Sequence, residues 1–291
     1  MGPRRPEVEA TDLLSSSNPR IKRLRRLISQ RKARSEERAF VVEGPAVVAE
    51  ALALPRNPGG GGPGAGRAAA DAVGSFTSRV EAVFVDADGS PELVAAAAAQ
   101  GVDVYPVTSG VLASVLDTVN PQPVAAIVGN RQWVVDDLGR GLVLLLVDPR
   151  DPGNAGTLIR SAEAAGAAGI VFTGGAVDPT NPKVLRASAG AGLRFPVVVA
   201  PDTDAVIDKL AAGGRALVAT VIDDAAVSYD EVDLNHVVVA LGNESHGLSA
   251  SVMARADLQM TIPLVGPTES LNLGVAGSVI CFEALRQRRA R

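Results

Sequence analysis

Cysteine is nearly absent from this 291-residue chain. Cys281 stands alone, so no disulfide can form within the chain and no cysteine metal cluster is available. Aromatic residues make up 3% of the sequence, too few for a sheet that reads nucleic acid mainly by stacking bases. No apolar run approaches the roughly 18 residues of a membrane span; an obvious one is Leu142-Val143-Leu144-Leu145-Leu146-Val147. The start, Met1-Gly2-Pro3-Arg4-Arg5, carries charge with no apolar stretch behind it, unlike a secretory signal. These absences point to a reducing cytoplasm and away from membranes.

What is present describes a globular protein of two domains. The hydrophobic fraction is 47% and the charged fraction 21%, too apolar for a disordered chain. Charge is unevenly placed. Residues 1–40 hold eleven Arg and Lys against five Asp and Glu, a net of +6, within a chain whose net charge is −4. A basic arm on an acidic body is what a local contact with a polyanion requires, although a solvated helix face gives the same pattern.

Asn18-Pro19 reads as a helix cap followed by proline in the first turn. Ile21, Leu24, Leu27 and Ile28 then recur at helical spacing and leave Arg20, Lys22, Arg23, Arg25 and Arg26 for other faces. Strands are expected at Phe40–Val42, Val80–Val85, Val102–Val107 and Val124–Val128, with helices from Pro45, from Pro91 and around Val111–Leu116. Together they make a first α/β domain over residues 1–130. Within it, residues 55–75 form a Gly/Pro-rich loop. Gly59, Gly61 and Gly64 match GxGxxG there, but a dinucleotide fingerprint needs a strand directly before the glycines and a helix opening on them, whereas these sit between prolines in a glycine run. Residues 131–141 read as a polar linker.

From residue 142 to 291 strands and helices alternate. Strands are expected at Leu142–Val147, Ile170–Phe172, Pro196–Val199, Ala216–Val221, Val237–Leu241 and Met260–Ile262. Their unbroken apolar runs imply a parallel sheet covered by helices on both faces. A last helix from about Ser270 to Arg288 is expected to bury Leu271, Val275, Val279, Phe282 and Leu285.

Ligands bind such a sheet at the carboxyl ends of its strands, and three loops there stand out. In Asp151-Pro152-Gly153-Asn154-Ala155-Gly156-Thr157-Leu158-Ile159-Arg160, Asn154 reads as a cap and Ala155, Leu158, Ala162 and Ala165 as a core face. Arg160 points away from that face, where a guanidinium can bind phosphate or stabilise an oxyanion. In Leu241-Gly242-Asn243-Glu244-Ser245-His246-Gly247-Leu248 the glycines allow close backbone approach, and Glu244 can accept hydrogen bonds from a neighbouring loop. Ser245-His246 lacks the GxSxG spacing of a hydrolase nucleophile, and His236 precedes a strand as a structural residue. In the third loop, Ile262 to Leu273, Ser270 and Asn272 suit helix caps, and the helix start can hold an anion or polar ligand.

N-A-G-T-L-I-R at 154–160, L-G-N-E-S-H-G-L at 241–248 and I-P-L…E-S-L-N-L at 262–273 resemble, in order and spacing, the three motifs of the SpoU/TrmH RNA 2′-O-ribose methyltransferases. Helix 18–32 and Phe40-Val41-Val42-Glu43-Gly44 resemble more loosely the ribosomal-protein-like RNA-binding domain of thiostrepton-resistance-type members. The resemblance implies an α/β fold with a C-terminal SPOUT-type trefoil knot, a smaller N-terminal α/β RNA-binding domain, and a homodimer. It implies S-adenosylmethionine held largely by backbone groups near Thr220, Gly242, Ile262, Leu264, Leu271 and Leu273, without a metal. It implies a catalytic Arg160 supported by Asn154, Glu244, Ser270 and Asn272. RNA contacts would come from Arg20, Lys22, Arg23, Arg25 and Arg26, aided by Lys183 and Arg186, with ribosomal RNA favoured over transfer RNA. A non-catalytic RNA-binding assembly factor is the main rival. A nucleotide-dependent enzyme is disfavoured because the chain has no GxxxxGK[ST].

Overall fold

The computed structural model describes residues 13–54, 79–86 and 89–291. The Gly/Pro-rich loop expected at 55–75 lies outside the described residues. Among them, residues 13–54 and 79–130 form one unit and residues 131–291 a second.

In the first unit, strands β1 (Ala39–Glu43), β2 (Val80–Val85), β3 (Asp103–Pro106) and β4 (Val124–Gly129) form a sheet of order β1-β4-β2-β3. β4 runs antiparallel to both neighbours, while β2 and β3 are parallel. Helix α1 (Pro19–Ser29) begins as its sequence dictates, with the Asn18 side chain accepting the Arg20 N–H and Pro19 in the first turn. Its stripe of Ile21, Leu24, Leu27 and Ile28 is buried in one cluster with Phe84, Leu112 and Ile127. Helices α2 (Arg31–Glu37), α3 (Pro45–Ala53), α4 (Pro91–Ala99) and α5 (Val111–Val115) complete the unit.

The second unit is built on β5 (Val143–Val147), β6 (Gly169–Thr173), β7 (Val197–Val199), β8 (Ala216–Thr220), β9 (Val227–Ser228), β10 (Val237–Leu241) and β11 (Leu258–Thr261). The strand order is β7-β6-β5-β10-β8-β11-β9, and every pairing is parallel. The unbroken apolar runs follow from burial on both faces. Leu144 and Leu146 pack with Leu158, Phe172 and Ile280 on one side, and Val143 and Leu145 with Ile207, Leu210 and Val252 on the other. Residues 131–141 pack within this unit, where Trp133 bridges to Val198 and Leu138 is buried. The two-residue strand β9 is too short to leave a sequence pattern.

The helices are α6 (Pro152–Ala164), α7 (Pro182–Ala187), α8 (Thr203–Ala212), α9 (Ala250–Arg255) and α10 (Leu273–Arg289). The expected core face of α6 holds: Ala155, Leu158, Ala162 and Ala165 are buried. Gly156 brings α6 against the end of α7, where an added Cβ would overlap Ala187 and lie 2.7 Å from the Val184 carbonyl oxygen. Two expectations are corrected. The last helix starts at Leu273 rather than Ser270, because Asn272 caps it. Its buried face is Leu273, Gly277, Ile280, Cys281 and Ala284, whereas Val275 and Phe282 are about half exposed. Gly277 is what allows that face to approach α6, since a Cβ there would overlap Leu158. Ser161 and Ser278 share a 2.8 Å hydrogen bond across the same contact.

Candidate active site

Strands β5 and β10 are parallel neighbours, with Leu146 opposite Leu241, so the loops that leave them sit side by side at their carboxyl ends. They diverge from there, β5 leading toward β6 and β10 toward β11 on the other flank. A doubly wound sheet opens a ligand crevice at such a switch point.

On the first loop the helix cap is Asp151, whose carboxylate accepts the Asn154 N–H at 2.7 Å, with Pro152 at the first helical position. Asn154 is therefore inside the first turn of α6, not its cap, and its side-chain amide is free for another task. Nδ2 donates to Glu244 Oε1 at 3.1 Å. Glu244 also accepts the backbone N–H groups of Arg150 and Asp151, both at 3.4 Å, as the sequence led one to expect of a carboxylate facing a neighbouring loop. Asn154 Oδ1 meanwhile lies against Gly274, in the first turn of α10. Asn272 caps that helix, its Oδ1 accepting from Gly274 N at 2.9 Å and Val275 N at 3.2 Å. Asn154 thus bonds the first loop to the second and stands beside the start of α10. Ser270 is exposed two residues before the cap. Arg160 is exposed on α6, one turn beyond Gly156 and on the same face.

The second loop is shaped by its glycines. Gly247 has φ +66°, and a Cβ on Gly242 would overlap the Gly247–Leu248 backbone, so the loop folds closely on itself. Asn243, which sequence reasoning did not single out, donates from Nδ2 to the Asp148 carbonyl at 2.8 Å and pins this loop to the end of β5. Only its place inside the motif could have flagged it.

A cleft of about 840 Å³ opens among these loops, within the usual range for a small-molecule site. Thr220, Gly242, Ile262, Leu264, Leu271 and Leu273 all line it. Glu244, Ser270 and Asn272 line it as well, whereas Asn154 joins through Glu244 and Arg160 is outside the wall. Asp223, Asp224, Glu244 and Glu269 give the wall four carboxylates, with no Lys or Arg on it among the described residues. Apolar walls, backbone loops and excess negative charge fit S-adenosylmethionine, which has an aromatic base and a positively charged sulfonium.

The basic residues of the first unit divide into two sets. Arg23 pairs with Glu37 at 2.7 Å and Glu81 at 2.8 Å, Arg26 pairs with Glu37, and Arg20 lies 4.5 Å over the Tyr105 ring. Lys22 and Arg25 are exposed and have no ion pair among the described residues. In the second unit, Lys183 and Arg186 are exposed on α7. His236 Nδ1 faces the Gly141 N–H at 3.5 Å, and burial, with Arg215 and Arg140 nearby, pushes its pKa down, as befits a structural residue. No helix among the described residues is long and apolar enough to cross a membrane.

Comparison with known proteins finds relatives for both units. Residues 141–282 match the SpoU rRNA Methylase family, and residues 18–57 match the MRM3-like substrate binding domain. An uncharacterized tRNA/rRNA methyltransferase of Synechocystis is 35% identical over 97% of this chain and 96% of its own. The 23S rRNA (guanosine-2′-O-)-methyltransferase RlmB of Xanthomonas axonopodis is 34% identical over 76% of this chain and 94% of its own. The AdoMet-bound rRNA methyltransferase of Sinorhizobium meliloti superposes with a TM-score of 0.77 at 31% identity, covering 94% of this chain and 97% of that one. The chain belongs to the SpoU rRNA methylase family.

Proposed function

We propose that this chain methylates a ribose 2′-hydroxyl of 23S ribosomal RNA in the cytoplasm, using S-adenosylmethionine. The observation that carries the reading is the junction of Asn154, Glu244 and the Asn272-capped helix beside a cleft rimmed by carboxylates. The names of RlmB and of the Bacillus subtilis 23S rRNA (guanosine(2553)-2′-O)-methyltransferase RlmP support the substrate.

S-adenosylmethionine, when bound, supplies a methyl group already activated on a sulfonium, so no metal is required. Thr220, Gly242, Ile262, Leu264, Leu271 and Leu273 hold it. Glu244 fixes the Asn154 amide, and Ser270 and Asn272 order the approach to α10. Arg160 anchors the phosphate next to the target ribose and stabilises the charge that develops on the 2′-oxygen. Its guanidinium stays protonated and therefore does not take the hydroxyl proton. Lys22 and Arg25 provide the phosphate contacts of the first unit, with Lys183 and Arg186 serving the second.

We place residues 1–130 in the RNA-binding domain and 142–291 in the catalytic domain. A homodimer is supported by the exposed Val275 and Phe282, seven residues apart on α10 beside the site. We also infer a knotted C-terminal path, from membership of the SpoU family.

The test is incubation with tritiated S-adenosylmethionine and unmodified ribosomal or transfer RNA, followed by mapping of ribose methylation. Incorporation at one 2′-position of ribosomal RNA, lost in Arg160→Ala, is expected. Arg160→Lys keeps the charge but not the fork and should lower turnover by about 10²–10³. Incorporation only into transfer RNA would replace the substrate, and cofactor binding without incorporation into either would favour the non-catalytic rival.

A further inference from the structure

His246 shares a loop with Glu244 and lines the cleft, yet the arrangement so far gives it no task. The loop fixes its ring. Because Asn243 Nδ2 donates to the Asp148 carbonyl, the orientation of that amide is set, and Oδ1 turns back into the loop. There it accepts the Ser245 backbone N–H at 2.8 Å and stands 3.3 Å from His246 Nδ1. An amide oxygen only accepts, so the hydrogen between them belongs to Nδ1. A neutral imidazole protonated at Nδ1 has its lone pair on Nε2, on the far side of the ring from Asn243. We propose that His246 Nε2 takes the proton of the ribose 2′-hydroxyl, and that Asn243 is the positioning residue that fixes its tautomer.

The proposal rests on the methyl-transfer reading and deepens it. The other titratable groups facing the cleft are Asp223 and Asp224 after β8, Glu269 before α10, and Glu244. Glu244 is engaged by three N–H donors. Carboxylates as a class are weak bases near neutral pH, whereas imidazole is the side chain that changes charge between about pH 5 and 8. The step balances. The hydroxyl proton goes to Nε2, the 2′-oxygen forms its bond to the methyl carbon, and the carbon–sulfur bond breaks with its electron pair going to sulfur. The imidazolium then returns its proton to water.

Incorporation by the wild-type protein tests the reaction itself. The inference is read separately, first from two-bond ¹H–¹⁵N NMR spectra of the cofactor-free protein. His246 should show the Nδ1–H tautomer, and Asn243→Ala should abolish that preference. His246→Gln should slow single-turnover methylation by about 10²–10⁴, the usual weight of a general base. Binding of S-adenosylmethionine and RNA should be retained, and the fall in rate on acidification should disappear. Added imidazole should restore part of the rate to His246→Ala. An Nε2–H tautomer in the wild type overturns the proposal whatever the turnover. So does a His246→Gln rate within about threefold of wild type, or a loss that keeps its pH dependence and resists imidazole.

Discussion

Replacing Gly156 by alanine sets two effects against each other, and the structure decides the sign. In a helix with open surroundings the change stabilises by about 1 kcal/mol, because alanine loses less backbone freedom. Here the new methyl would overlap Ala187 Cβ, lie 2.7 Å from the Val184 carbonyl oxygen and lie 2.9 Å from Ser188 N, where ordinary contacts are 3.4 Å or longer. Two of those three atoms are backbone and cannot rotate away. Overpacking of this kind costs about 1–3 kcal/mol, and with backbone in the way the upper half of that range applies. We expect a net loss of about 1–2 kcal/mol, seen as a fall in Tm of about 2–8 °C by calorimetry. The alternative to carrying the strain is for α6 to retreat from α7. It would take Asn154 and Arg160 with it, by about 0.7 Å if the Val184 contact is to be relieved, and displacements near 1 Å cost about 10² in rate. Single-turnover methylation should therefore fall more than cofactor affinity does. A Gly156→Ala protein with an unchanged or higher Tm would mean that α6 and α7 are not in this contact, and the reasoning fails with it.

Three further outcomes are expected. Gly242→Ala, whose methyl would overlap the Gly247–Leu248 backbone, should weaken S-adenosylmethionine binding by at least about tenfold in calorimetric titration; an unchanged Kd would contradict the assignment of this loop to the cofactor. The double variant Lys22→Ala, Arg25→Ala should flatten the log–log salt dependence of RNA binding by about 1.4–1.8, at roughly 0.7–0.9 per lost phosphate contact. Arg23→Ala should leave that slope alone, because Arg23 is already paired with Glu37 and Glu81. Hydrogen bonds from Arg286 at 2.8 and 2.7 Å hold the Glu283 carboxyl below the usual carboxylate range. A depressed folded-state pKa contributes stability above the unfolded-state value, about 4.3, and loses it as pH falls through the folded one. Urea titrations at stepped pH should show Glu283→Gln declining less steeply than wild type in that acid window, and parallel declines would refute the linkage.

What could be read from the sequence depended on whether the signal was local. The α6 face was legible because Ala155, Leu158, Ala162 and Ala165 are apolar at helical spacing and nothing competes with them. On α10 the same logic chose the wrong face. Val275, Val279 and Phe282 form an apolar stripe, but the face that packs inward uses Gly277 and Ala284, small residues with little hydrophobic weight that are there to permit close approach. Asn154 reads as a cap in the sequence because apolar periodicity begins right after it, while Asp151-Pro152, which caps the helix, carries an equally good signal three residues earlier. Its motif neighbours were legible as a pattern, yet the bond from Asn154 to Glu244 spans 90 residues and belongs to the tertiary fold alone. The same holds for the pairing of Arg23 with Glu81, which removes one arginine from a stripe that reads as uniformly available.

The position of β10 bears on the order of events as the chain folds. It is the middle strand of seven, and its neighbours β5 and β8 start about 94 and 21 residues before it. Until residues 237–241 arrive, the halves of the sheet that flank it share no edge. The candidate catalytic junction sits where those halves meet, and its last component, the Asn272 cap, is synthesised later still. Long-range parallel pairing of this kind is slow to form, while the first unit closes through its own contacts. A growing chain would accordingly complete its first unit, the proposed RNA-binding domain, well before any capacity for chemistry, and the reactive centre would be the final structure to set.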